Sequence, residues 1–347
     1  MRTCLPLLAR LSLAGALLLG VVPPAHAATA YHFIQEIPVG GDGGWDYLSI
    51  DPAAHRLYVS HGTEVVVIDT IADRVVGRIL DTPGVHGLAV AADLGRGFTT
   101  NGREDRLGII DLKTLRTVAK VETGANPDAM LYVASTREAY TFNGRGHSAT
   151  VVDAVAGKVV TTVPLGGKPE FATVDEAAAR VYNNLEDQNT VVELDAKTHA
   201  ILHRWPIAPG EEASGMAIDV AHHRLFLGCS NQVMVMMDAT SGRVVSSVPI
   251  GRGVDANAFD PGTQLAFASC GDGTVTIARE ETPDRLTVVQ TLQTQPRART
   301  MTLDPATHRI YLSTASFEPV APAEAGAGRS RPKMIPGSFR VLVYGID

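Results

Sequence analysis

The sequence predicts an all-β protein, a seven-bladed β-propeller with four-stranded antiparallel blades. Short runs rich in Val, Ile, Leu, Tyr and Thr alternate with turns built on Asp, Pro, Gly and Asn, as half-buried strands and tight turns require. The pattern recurs about every forty residues, and a four-strand unit of that length is the mark of a propeller blade. Seven copies are countable, which sets the size of the ring.

The unit is clearest between Trp45 and Ile79. Tyr47 to Ile50 reads as a first strand and Asp51-Pro52-Ala53-Ala54-His55-Arg56 as a turn, with Pro fixing φ and Asp able to bond the backbone ahead of it. Leu57 to Ser60, Glu64 to Ile68 and Arg74 to Ile79 supply the remaining strands. Later first strands end in Val174-Asp175, Ile218-Asp219, Phe259-Asp260 and Leu303-Asp304. Third strands end in Ile68-Asp69, Ile110-Asp111, Val152-Asp153, Leu194-Asp195 and Met237-Asp238. The last unit has three strands of its own: Thr300 to Leu303, Ile310 to Ser313 and Phe339 to Tyr344. Tyr31 to Ile37 is expected to complete it, closing the ring and removing its exposed edges.

Leu57-Tyr58-Val59-Ser60, Phe98-Thr99-Thr100-Asn101-Gly102 and the Val-Ile-Asp third-strand endings carry a family resemblance. From about Tyr31 to Asp347 the chain resembles the YVTN-repeat, YncE-like family of seven-bladed propellers. The resemblance implies the fold. It implies no single chemistry, because propellers host many functions.

Arg2 and Arg10 precede an apolar run, Leu11 to Val22, and Ala25-His26-Ala27 fits a small-residue cleavage site. Residues 1–27 are therefore expected to be a secretory signal peptide, and residues 28–347 a single propeller domain in the periplasm or outside the cell. The leader's apolar run is too short to span a membrane, and no later stretch is long and apolar enough to do so. The formal net charge of −7 becomes −9 when the leader's two Arg are removed. That balance disfavours nucleic acid as a partner. A small molecule or a periplasmic protein is the expected partner, and a monomer the expected state. Cys229 and Cys270 fall on neighbouring blades and are expected to be two buried thiols rather than a disulfide, since packed sheets lie about 10 Å apart.

Strand alternation separates the turns into two faces. First-to-second and third-to-fourth turns share one face, which gathers the equivalent residues His55, His223 and His308 and the repeated Asp turn formers. Repetition explains all of these. The opposite face holds the blade-to-blade connections, and each presents a polar residue where the innermost strand begins: Asp46, His86, Asp128, Glu170, Glu212 or Ser214, Asp255 and Arg299. These residues should ring the channel mouth. Like charges brought together there need a cation, a proton or the arginines to compensate them. Asp46, His86, Asp128 and Glu170 are the candidate metal ligands, and their oxygen-rich set favours Ca²⁺, Mg²⁺ or Mn²⁺.

No linear motif for a metalloprotease, a serine hydrolase, a phosphate-binding loop, haem attachment or a Ca²⁺ loop is present. The reading is a propeller that binds a ligand or partner at the polar mouth of its channel. The alternative is a metal-dependent hydrolase, akin to the sugar-lactonases, using the same mouth. An insertion from Ser316 to Pro336, with Arg329, Arg331 and Lys333, interrupts the last unit on the mouth face. It reads either as a passive surface insertion or as a cover for the mouth.

Overall fold

The computed structural model describes residue 1 and residues 30–319 and 332–346. The expected leader beyond residue 1, and the centre of the insertion with Arg329 and Arg331, lie outside the described residues. Among the described residues the strands form seven sheets of four, each antiparallel. The first strand of each blade faces the first strand of the next, and the seventh faces the first, so these strands surround the axis. They are Trp45–Asp51, Val85–Ala91, Pro127–Val133, Pro169–Asp175, Ala213–Asp219, Val254–Asp260 and Met301–Asp304.

The ring closes as expected, one residue further along than the sequence suggests. His32–Pro38 is the outer strand of the seventh blade and pairs antiparallel with Arg340–Gly345, from His32 opposite Gly345 to Pro38 opposite Arg340. Tyr31 anchors the strand. It is buried, its ring packs edge-on against Phe267 at 5.1 Å, and its backbone exchanges two hydrogen bonds with the Gln290 side chain of blade six.

The core lies between blades rather than within them. A blade is one sheet thick, so its two faces must be covered by its neighbours. Accordingly one buried cluster fills each gap among the described residues. Phe226 of blade five against Phe259 of blade six, with ring centroids 4.9 Å apart, is typical. Burying each such side chain stabilises the fold by roughly 1.5–3 kcal/mol. Cys229 and Cys270 belong to two of these clusters as free, buried thiols, and burial pushes both up to about 12.

The turn face bears out the repeat. Asp69 Oδ1 accepts the backbone N–H groups of Ile71 and Ala72, and Asp111, Asp153, Asp195 and Asp238 repeat that pair of bonds. Backbone donors hold Asp69, Asp111, Asp153 and Asp195 below the usual carboxylate range. His55, His223 and His308 all sit at φ between 53° and 55°, the left-handed position of the first turn. Two of them also reach the preceding blade: His308 Nδ1 lies 2.6 Å from Asp260 Oδ2, and His223 Nδ1 lies 3.6 Å from Asp175 Oδ2.

Candidate functional site at the channel mouth

Asp46, His86, Asp128, Glu170, Ser214 and Asp255 are each the second residue of an innermost strand. One register therefore delivers six side chains to one level of the ring. Arg299, two residues ahead of the shorter strand Met301–Asp304, takes the seventh place. Glu212 lies outside this register. It is exposed, ahead of its strand, at φ 46°, and accepts a hydrogen bond from Ser230 Oγ. The fifth place in the ring belongs to Ser214.

The ring residues meet. His86 Nδ1 is 2.7 Å from Asp46 Oδ2 and 3.6 Å from Asp128 Oδ1. Ligand atoms of these three residues lie within 4.8 Å of one another, close enough to share one cation. Glu170, an expected ligand, is not part of the trio; its Oε2 lies 3.5 Å from Lys168 Nζ. Lys168 also pairs with Glu186 from the neighbouring loop. Asp255 is matched by Arg299, with Nη1 to Oδ1 at 3.4 Å.

Tyr47 shows that the carboxylates converge. Burial raises its phenol well above the ordinary value, and Asp128, Glu170, Asp46 and Asp255 all add to the effect. Four carboxylates from four blades thus face one ring. Their own titration reflects the crowding. Burial and the adjacent Asp128 push Glu170 up to about 8. Burial pushes Asp128 and Asp255 up to about 6, against the pull of His86 and Arg299. For His86, burial acts downward, but its hydrogen bond to the Asp46 carboxylate and the charges of Asp128, Asp46 and Glu170 leave it raised.

Below the charges the channel turns apolar. Tyr47 and Phe171 pack with ring centroids 5.3 Å apart, and with Leu48, Leu88 and Met130 they line a cavity of about 130 Å³. Above, the mouth opens into two adjoining cavities that share Gly44 and Trp45. The smaller, about 270 Å³, is lined by Asp46, His86, Arg103, Asn126 and Arg145. The larger, about 740 Å³, has an apolar wall of Trp45, Phe317, Pro332 and Met334, faced by Arg297 and Arg299. The Arg297 guanidinium stands 4.5 Å over the Phe317 ring, a cation–π contact that fixes its direction. Phe317 and Met334 are the two feet of the insertion, joined by an antiparallel bridge and by bonds from Glu318 N to Lys333 O and from Ile335 N to Ser316 O.

The aromatic wall and Arg297 are the cavity-lining residues that the sequence reading passes over. Trp45 directly precedes the ring residue Asp46, but Phe317 and Arg297 lie outside the strands, where the repeat provides no register.

No family model matches the chain, and no curated protein matches it in sequence. Solved structures do match in shape. The structure of U3-55K superposes with a TM-score of 0.73 at 11% identity, covering 91% of this chain and 98% of the other. The crystal structure of the RRP9 WD40 repeats superposes with a TM-score of 0.74 at 11% identity, covering 92% and 98%. At that identity the likeness establishes the fold alone: the chain is a seven-bladed, four-stranded β-propeller.

Proposed function

We propose that the chain is a ligand-binding propeller whose mouth takes a small organic anion with an apolar, ring-sized body. The observation that carries this is the larger mouth cavity, where Arg297 and Arg299 face a wall of Trp45, Phe317 and Met334. Guanidinium groups supply directed donors to carboxylate or phosphate oxygens. The aromatic wall supplies area for the apolar part. Arg299 is only partly committed to Asp255, since its side chain is 56% exposed and the contact is 3.4 Å. Glu170, pushed up to about 8 by burial and Asp128, keeps its proton near neutral pH and so limits part of the repulsion an anion would meet.

The leader pattern of residues 1–27 supports a periplasmic or secreted location, and the repeat signatures support kinship with the YncE-like propellers. A monomer that does not bind nucleic acid is the state this reading assumes.

The test is intrinsic fluorescence. The chain has two Trp, and Trp205 is buried on the outermost strand of blade four, so a Trp205→Phe variant leaves Trp45 as the reporter. Phenyl phosphate should shift its emission with saturation, and benzylamine should not. Replacing Arg297 and Arg299 by Gln should weaken that binding by about 10–100-fold. Equal response to the cation, or equal affinity in the arginine variants, contradicts the reading.

A second reading rests on the trio Asp46, His86 and Asp128. These residues would hold Ca²⁺, Mg²⁺ or Mn²⁺ beside the cavity, and such an ion supplies Lewis-acid chemistry for hydrolysis. Turnover of a lactone and ester panel that depends on added cation, and that is lost in Asp128→Asn, would favour this reading over simple binding.

A further inference from the structure

Blade six breaks the repeat on the face opposite the mouth. Its third and fourth strands, Thr274–Thr282 and Arg285–Gln293, are nine residues each, where the matching pairs in the first five blades are six or seven. The extension moves the turn outward to Pro283-Asp284 and puts Arg279 where five other blades place the turn Asp. The next position is occupied elsewhere by Thr70, Leu112, Ala154, Ala196 and Ala239, each donating its backbone N–H to the left-handed residue of its blade's first turn. In blade six the residue making that same bond, to Gln264 O, is Glu280. A carboxylate thus fills a place that the fold reserves for small or apolar side chains.

Glu280 is not solvated. Its side chain is 0% exposed, and Oε2 has no hydrogen-bond partner. Asp219, from the first turn of blade five, faces it with a side chain 2% exposed and an Oδ2 that no donor addresses in good hydrogen-bond geometry. In blades six and seven the equivalent Oδ2 atoms of Asp260 and Asp304 accept hydroxyl bonds from Thr263 and Thr307. Blade five carries His222 at that place. Its Nδ1 lies 2.7 Å from Asp219 Oδ2 and 3.1 Å from Glu280 Oε1. The nearby Arg224 gives no relief, because its guanidinium is spent on Asp238, Asp284 and carbonyls of His222, His223 and Pro283. Two buried carboxylates therefore share one imidazole, with acceptor atoms turned on each other. A buried charge pair of like sign is costly without a counter-ion.

We propose that Asp219, His222 and Glu280 bind a divalent first-row transition-metal ion that staples blade five to blade six. One ligand atom from each residue lies within 4.8 Å of the others, so a single ion reaches all three. Imidazole with two carboxylates suits Mn²⁺ to Zn²⁺ better than Ca²⁺ or Mg²⁺. His222 is 40% exposed, which leaves an entry path and room for water on the ion.

The experiment uses the full chain, stripped with a chelator and titrated with Zn²⁺ by calorimetry, with Co²⁺ absorption as a second readout and Mg²⁺ as the hard-ion arm. The wild type should take up one equivalent that His222→Gln and Glu280→Gln each weaken by about 100-fold or more. Asp128→Asn, at the mouth, should retain it. The bound ion should raise the melting temperature of the wild type and not that of the two variants. His222→Gln changes a partly exposed side chain, so the test survives even where the buried Glu280→Gln variant fails to fold. Zn²⁺ uptake and stabilisation unchanged in His222→Gln, or lost only in Asp128→Asn, would overturn the proposal, as would tighter binding of Mg²⁺ than of Zn²⁺.

Discussion

The two faces of this propeller use the same side chain in opposite ways. On the turn face, Asp69, Asp111, Asp153 and Asp195 each meet backbone N–H donors and are held below the usual carboxylate range. At the mouth, Asp128, Glu170 and Asp255 meet burial and one another, and are pushed up to about 6, 8 and 6. The difference lies in the partner. A turn carboxylate is matched by fixed dipoles that its own loop supplies. A mouth carboxylate arrives by strand register from a different blade and finds other carboxylates already there. A repeat fold readily stabilises the first arrangement, here in five blades. The second is tolerated where it serves a site.

This contrast carries a sign. At the mouth, folded pKa values lie above unfolded ones, so between roughly pH 4 and pH 8 the folded chain holds protons that the unfolded chain has released. Stability from these groups falls as pH rises through that window. On the turn face the shift is downward, so its contribution is present at neutral pH and lost as pH falls through the carboxylate range. The largest expected effect follows from the first case. Asp128→Asn combined with Glu170→Gln should stabilise the protein at pH 8 by on the order of 2 kcal/mol and flatten the slope between pH 5 and pH 8. Urea unfolding at both pH values measures it, and a double variant less stable than wild type at pH 8 would break the comparison.

A smaller change is expected on the other face. Asp153→Ala removes two bonds to the backbone N–H groups of Val155 and Ala156 and should cost about 1 kcal/mol at pH 7. The loss should shrink as pH falls through the carboxylate range, the reverse of the mouth's behaviour. The smallest effect belongs to the turn histidines. His55→Ala should change stability by less than about 1 kcal/mol and leave phenyl phosphate affinity within twofold, because His55 occupies a left-handed turn position rather than a site. A marked loss of affinity there would mean that the functional face has been taken the wrong way round.

What the sequence made legible is whatever the repeat repeats. Strand number, the closing strand and the ring positions of Asp46, His86, Asp128, Glu170 and Asp255 all follow from one register counted back from the first-strand ends. Where a connection lacks a fixed length, the count becomes ambiguous: Glu212 and Ser214 compete for one place, and only the strand Ala213–Asp219 decides between them. Arg297 and Phe317 escape because they lie off the strands, and their pairing depends on how the feet of the insertion meet. Glu280 escapes for a different reason. The segment after Ala278 carries Arg279 where its counterparts carry the turn Asp, but only the register against Leu265 shows that the glutamate has moved into a buried place. In each case the missing information is a contact between segments with no common period.

The comparison is tested most directly by following the Asp and Glu side-chain carboxyl carbons by NMR through a pH titration of the full chain. Asp128 and Asp255 should titrate near 6 and Glu170 near 8, while Asp69, Asp111, Asp153 and Asp195 titrate below the ordinary carboxylate range. Mouth and turn carboxyls titrating together in the ordinary range would contradict the account, because the mouth would then be a plain solvated rim.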